Sequence, residues 1–198
     1  MTPNQSAALI LILLSLVWLA VIVRDIRRFD GGWFVYFLYM AVRLYSGICF
    51  RVRTNRRCPF PLEGPAIVVA NHRSPLDPMF LSYNIHVNEH PRGLFRVIHY
   101  LMVDTYYDIH PFVSKVCRSM DVIPVSRTGK DMGPIKQAVR TLKGGNLIGI
   151  FPEAGINLKT GLLPADPGVG WLALTAKCPV YPVFIHNAPV GHTMVQPF

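Results

Sequence analysis

Acidic residues are scarce in this chain of 198 residues: 11 Asp and Glu stand against 20 Lys and Arg, and charged residues of either sign make up only 16%. Soluble domains usually carry about 25% charged residues. A deficit of this size, together with 51% hydrophobic residues and a mean hydropathy of +0.32, argues against an ordinary soluble protein and for contact with a membrane. The four cysteines, at positions 49, 58, 117 and 178, show no two-residue spacing and no paired histidine nearby, so neither a zinc site nor a redox pair is expected. They read as free thiols of a reducing compartment, although four residues are also enough for disulfides. The chain has no Gly-x-Ser-x-Gly element of the kind that serves a serine hydrolase, no internal repeat and no low-complexity segment. Its length allows one core, hence one domain with an appended segment.

The apolar residues are concentrated near the N-terminus. Residues 7–23 (AALILILLSLVWLAVIV) are uncharged, at the lower end of the roughly 17 to 25 residues that cross a bilayer as a helix. No basic residue precedes the run and no clear small-residue cleavage site follows it, which favours a retained transmembrane helix over a signal peptide. Arg24, Arg27 and Arg28 follow directly, so the positive-inside rule places the remainder of the chain on the cytoplasmic side. After the break at Asp30-Gly31-Gly32, residues 33–50 form a second apolar helix, rich in aromatics and containing Arg43. Aromatic side chains and an arginine suit the headgroup interface better than the hydrocarbon centre. The alternative is a second span with Arg43 reaching to the interface. A further basic cluster, Arg51, Arg53, Arg56 and Arg57, lies where cations meet anionic lipid. Lipid, rather than nucleic acid, is therefore the expected partner of the net charge of +9.

Beyond Pro59, Pro61, Gly64 and Pro65 the pattern changes to short apolar runs alternating with helical stretches. This alternation predicts an α/β domain at 59–198, a mixed sheet flanked by helices, behind a membrane anchor at 1–58. Strands are expected at 66–70, 94–98, 122–125, 147–151 and 180–185. A helix should start at Ser74 with Pro75 at its first position. Another should open at Pro134, with Ile135, Ala138, Val139 and Leu142 on one face and a stop at Gly144-Gly145. A third should cover 169–177.

The chemistry centres on Asn71-His72-Arg73-Ser74-Pro75-Leu76-Asp77, where a histidine leaves a strand and an aspartate enters the next helix. A carboxylate bonded to one imidazole nitrogen fixes the tautomer and frees the other nitrogen as a general base. The spacing itself is not diagnostic, because His99 and Asp104 repeat it. His99 sits in a strand-like run, and five extended residues would carry its aspartate far away. The other histidines, at 86, 90, 110, 186 and 192, show no ligand spacing with acidic partners.

NHRSPLDP at 71–78 resembles the first motif of the glycerolipid acyltransferases, the family of lysophosphatidic acid and glycerol-3-phosphate acyltransferases. Three more blocks follow in family order: VIPVSR at 122–127, FPEAG at 151–155 and VYPV at 180–183. The resemblance covers about 60–187 and implies an O-acyltransferase of phospholipid biosynthesis, similar to 1-acylglycerol-3-phosphate acyltransferases. In that family the histidine is the base and the aspartate its orienter, which assigns catalysis to His72 and Asp77. The acyl donor is a thioester of coenzyme A or of acyl carrier protein, and neither a metal nor any other cofactor is implied. By the same resemblance Arg127 binds the acceptor phosphate; Glu153, on the same sheet edge as His72, orders the site or contacts acceptor hydroxyls, with Gly155 and Lys159 placed in the substrate site beside it. Backbone amides after Ser74 are the expected oxyanion donors.

One departure stands out: the family's usual Gly-Thr-Arg after the glutamate is replaced by Ala154-Gly155-Ile156. It removes one phosphate-binding arginine, for which Lys159 can substitute, and leaves room for a different lysolipid or an amino-lipid as acceptor. A thioesterase or lipase using His72 to activate water or a serine, and a lipid-binding protein without catalysis, are the competing readings. The chain ends at Phe198, whereas relatives usually continue for another strand or more; a truncated form would carry an unpaired sheet edge. The sequence leaves acyl length, acceptor and oligomeric state open.

Overall fold

The computed structural model describes residues 2–27, 29, 31–55, 60–61, 63–87, 96–127 and 131–191, and for 84–87 the backbone alone. Two helices come first, α1 (Pro3–Arg27) and α2 (Gly32–Cys49), followed by β1 (Ala66–Ala70), α3 (Asp77–Val87), β2 (Ile98–Val103), α4 (Asp104–Tyr107), α5 (Pro111–Ser119), β3 (Ile123–Val125), α6 (Gly133–Lys143), β4 (Leu147–Ile150), α7 (Gly168–Ala176) and β5 (Val180–Val183).

The five strands form one sheet in the order β3-β2-β4-β1-β5, and every pairing is parallel. The α/β class is as expected, and the sheet, expected to be mixed, is parallel throughout these strands. Parallel strands need crossovers, which cover both faces and make each strand apolar on both sides. In β1, Ala66, Val68 and Ala70 pack with Leu81 of α3, Ile98, Tyr100 and Leu147. Ile67 points the other way, to Ile148, Ile123, Ala138 and Leu142 of α6, and Leu172 of α7. Tyr100 crosses close over β4: a Cβ at Gly149 would stand 2.5 Å from its ring.

Several boundaries moved. The strand expected at 94–98 is β2, four residues later; 94 and 95 lie outside the described residues, and Arg96 and Val97 precede the ladder. The Arg96 guanidinium holds the carbonyls of Pro61, Gly64 and Gly145, while β2 pairs with β4 from Ile98 onward. The α3 helix begins at Asp77, not Ser74, although the Ser74 Oγ does accept the Leu76 N–H at 3.1 Å. No helix was expected at α4 or α5; the latter starts with His110 capping it through Nδ1, which accepts the Phe112 N–H, and Pro111 at the first position.

Among the described helices α1 alone has the length and composition to cross a bilayer, with mean hydropathy 2.9 over its most apolar window and no buried residue. In α2, Val35, Tyr36, Tyr39 and Ser46 are buried, the aromatics packing with Phe29 beside Val97 and Met120. The Phe50 ring that ends α2 meets Phe80 of α3 edge-on at 5.2 Å. The other side of α2 exposes Trp33, Phe37, Met40, Leu44 and Ile48, one stripe at helical spacing. Arg28, Asp30, Arg56, Arg57, Cys58, Pro59, His90 and His192 fall outside the described residues, and of the cysteines described, 49, 117 and 178 are free thiols.

Candidate active site

The last paired residue of β1 is Ala70, so the chain leaves the carboxyl edge of the sheet at Asn71, where open α/β sheets place their ligand sites. Asn71 is buried, and its amide extends the β1–β5 pairing by one side chain: Nδ2 donates to Ile185 O at 3.0 Å and Oδ1 accepts the Ile185 N–H at 2.7 Å. His72 follows. Its Nδ1 lies 2.9 Å from Asp77 Oδ2, with Asp77 fully buried and the imidazole 19% exposed. The same carboxylate oxygen accepts the N–H groups of Arg73, at 2.5 Å, and Ser74, at 2.8 Å, while Oδ1 is buried without a partner among the described residues. Three donors on one oxygen, and a place in the first turn of α3, offset the cost of burying this charge. They also fix the tautomer: Nδ1–H donates, and Nε2 carries the lone pair.

The second wall of the site is the segment after β4. The Phe151 ring stacks on the imidazole, centroids 4.3 Å apart at 19°, and is itself stacked on Tyr100 at 6.1 Å. Burial pushes the Tyr100 phenol well above its ordinary pKa, so it stays neutral and donates to Pro78 O at 2.9 Å. Glu153 turns inward and bridges two main-chain groups, Oε1 accepting the His72 N–H at 3.2 Å and Oε2 the Leu163 N–H at 3.1 Å. Asn157 N–H donates to His72 O at 2.7 Å.

The structure thus brings His72, Asp77 and Glu153 together, with Gly155 and Lys159 in the same loop. Lys159 is exposed, and its carbonyl accepts a hydrogen bond from the Arg73 guanidinium. Arg127 lies apart: it is exposed beyond the end of β3, three strand spacings of about 4.8 Å, roughly 14 Å, from β1. The amides expected as oxyanion donors are already used. Pro75 has none, Leu76 N–H goes to Ser74 Oγ, Asp77 N–H to Ser74 O and Met79 N–H to Leu76 O. His99 bonds to Met120 O through Nδ1 at 3.0 Å and Asp104 Oδ1 accepts the Thr105 N–H, so the repeated spacing holds no pair. Among the described residues no group of three His, Cys, Asp or Glu side chains suits a metal ion. Phe151 and Asn157 were not anticipated; Phe151 was visible only as part of a motif, and Asn157 carried no signal. Nor did sequence assign Asn71 its bridging role.

A family model described as Acyltransferase matches residues 50–186, well over half of the chain. Together with the parallel α/β fold and the histidine-aspartate turn at its edge, this shows that the chain belongs to the glycerolipid acyltransferase family. Uncharacterised proteins of Mycobacterium tuberculosis and Mycobacterium bovis are 32% identical to it over 114 residues, 57% of this chain and 28% of theirs. The match therefore spans little more than a quarter of those relatives. The crystal structure of PlsC, the 1-acyl-sn-glycerophosphate (LPA) acyltransferase of Thermotoga maritima, superposes with a TM-score of 0.52 at 18% identity, over 74% of this chain and 56% of that one, a likeness of fold.

Proposed function

We propose that the chain transfers a fatty acyl group from a thioester of coenzyme A or acyl carrier protein to the hydroxyl of a lysophospholipid such as lysophosphatidic acid, as a step of phospholipid biosynthesis. The observation that carries the reading is the buried Asp77 bonded to His72 Nδ1 at 2.9 Å, which leaves Nε2 as the base. Nε2 takes the acceptor hydroxyl proton as the oxygen attacks the thioester carbonyl. The tetrahedral intermediate then expels the thiolate, which recovers that proton from Nε2. Asp77 stabilises the transient imidazolium. The transfer as written needs no cofactor besides the thioester.

Arg127 and Lys159 are the cations assigned to the acceptor headgroup, with Glu153 and Gly155 shaping the loop between them. Because Ile156 stands where the family places an arginine and Arg127 is set off across the sheet, a lysolipid without a terminal phosphate, or an amino-lipid, is the second reading. The substrates are membrane lipids, and α1 with Arg24 and Arg27 in its last turn supports a cytoplasmic catalytic face.

The test is to incubate the purified chain with labelled acyl thioesters and a panel of lysolipids, with His72→Ala as control. Acylated lipid should appear with the wild type and fall by at least about 1000-fold in the variant. Thioester loss without acylated lipid would point to a hydrolase, and equal rates in the variant would remove His72 from the reaction.

A further inference from the structure

Neither main-chain group of His72 is held by the sheet, because the β1 ladder ends at Ala70. Both are nevertheless occupied, and by one short segment. Glu153 Oε1 accepts the N–H, Asn157 N–H donates to the carbonyl, and Phe151 of the same segment stacks on the ring. Asn157 is only 2% exposed, yet its side chain bonds within its own loop: Nδ2 donates to Gly161 O and Oδ1 accepts the Lys159 N–H, each at 2.9 Å. This closes a tight turn over 157–161, in which Gly161 takes φ +87°, a conformation that side-chain-bearing residues rarely adopt. The turn is tied back to the residue after the histidine, since the Arg73 guanidinium donates to Lys159 O. A buried amide with both ends satisfied specifies one loop conformation, and here that conformation sets where the Asn157 N–H meets the His72 carbonyl.

Resting on the acyl-transfer reading above, we propose that Asn157 is a positioning residue: through the 157–161 turn it locks the backbone of His72 so that Nε2 stays in line with the acceptor hydroxyl. The segment that in the family continues into a phosphate-binding Gly-Thr-Arg works in this chain on the histidine's main chain. Displacing a reacting group by about 1 Å costs on the order of 100-fold in rate, and a loosened turn acts on kcat, leaving the affinity for the thioester in place; because the turn also carries Lys159, the lysolipid KM can rise with it.

The experiment uses the full chain in lipid vesicles with Asn157→Ala and Asn157→Ser. In the alanine variant kcat should fall by about 10- to 100-fold, while KM for the thioester stays within about threefold. Serine, whose hydroxyl can still accept the Lys159 N–H as a short side chain does in a turn, should recover part of the loss. It also keeps the comparison usable if the alanine variant does not fold. In histidine-labelled protein the downfield Nδ1–H resonance of His72, bonded to Asp77, should broaden in Asn157→Ala and sharpen again in Asn157→Ser. Wild-type kcat in the alanine variant, a change confined to KM, or a serine variant no better than alanine would each overturn the proposal. Failure of the wild type on every lysolipid removes the acyl-transfer reading instead, and the resonance still decides whether Asn157 positions His72.

Discussion

At the scale of single residues, Asp77 Oδ2 is the most heavily used atom of the site, accepting from the His72 ring and from the Arg73 and Ser74 amides. Asn at this position can keep all three bonds with its carbonyl oxygen, but it places an NH2 where Oδ1 is buried without a partner and removes the charge that would stabilise an imidazolium. Asp77→Asn is therefore expected to lower kcat by about 100- to 10,000-fold with little change in KM, read by steady-state acyl transfer; a loss under about threefold would show that the charge is not used. This pair was legible before the fold was known, and the reason lies in context. His72 precedes a turn that folds five residues back on themselves, whereas His99 lies within β2 and its aspartate opens α4 at the far end of an extended stretch. That Glu153 shares the site was read from the sequence, but its bond to the His72 main chain, and Asn157 altogether, were not, because both are far along the chain and meet His72 only when β4 pairs with β1.

At the scale of elements, the strand β4 is held between two demands. Its residues Leu147 and Ile148 are buried on opposite faces, and Gly149 lets the Tyr100 ring pass at the distance that a side chain would fill. Tyr100 in turn backs Phe151, which backs the imidazole. Gly149→Ala should thus cost about 1 to 3 kcal/mol of stability through overpacking, measured by denaturant unfolding. It should also lower activity in the folded fraction as the ring stack shifts. An unchanged midpoint would mean that β2 yields freely. Apolar runs located four of the five strands to within two residues: β1 and β4, buried on both faces, appear as unbroken hydrophobic stretches, and the edge strands β3 and β5 as shorter runs with exposed residues between. The fifth, β2, was placed early because a run of apolar residues does not say where the ladder begins: the β2–β4 pairing starts only at Ile98.

At the scale of the whole molecule, α1 and α2 differ in how much of their apolar surface the rest of the protein covers. α1 leaves its apolar surface uncovered, and α2 is packed on the catalytic body along one side while the Trp33, Phe37, Met40, Leu44 and Ile48 stripe stays bare. A helix packed lengthwise on the α/β body fits the interface better than the hydrocarbon centre. Removing 1–27 should weaken flotation with anionic vesicles without abolishing it, and adding Phe37→Asp and Leu44→Asp should reduce it at least about tenfold further. If the double substitution leaves flotation of the shortened chain unchanged, the stripe does not touch lipid.

The sequence by itself determined the α/β class, the long apolar helix near the N-terminus, the family and the histidine-aspartate turn, because each depends on residues adjacent along the chain, where propensity, hydropathy and capping act directly. Tertiary structure alone decided the order β3-β2-β4-β1-β5, and with it the site. That order sets β4 beside β1, so Phe151, Glu153 and Asn157 close around His72, and it leaves Arg127, after β3, on the same carboxyl edge but three strands away. Strand neighbours are chosen by how both apolar faces can be covered at once, a property of the whole assembly that no local run of residues encodes.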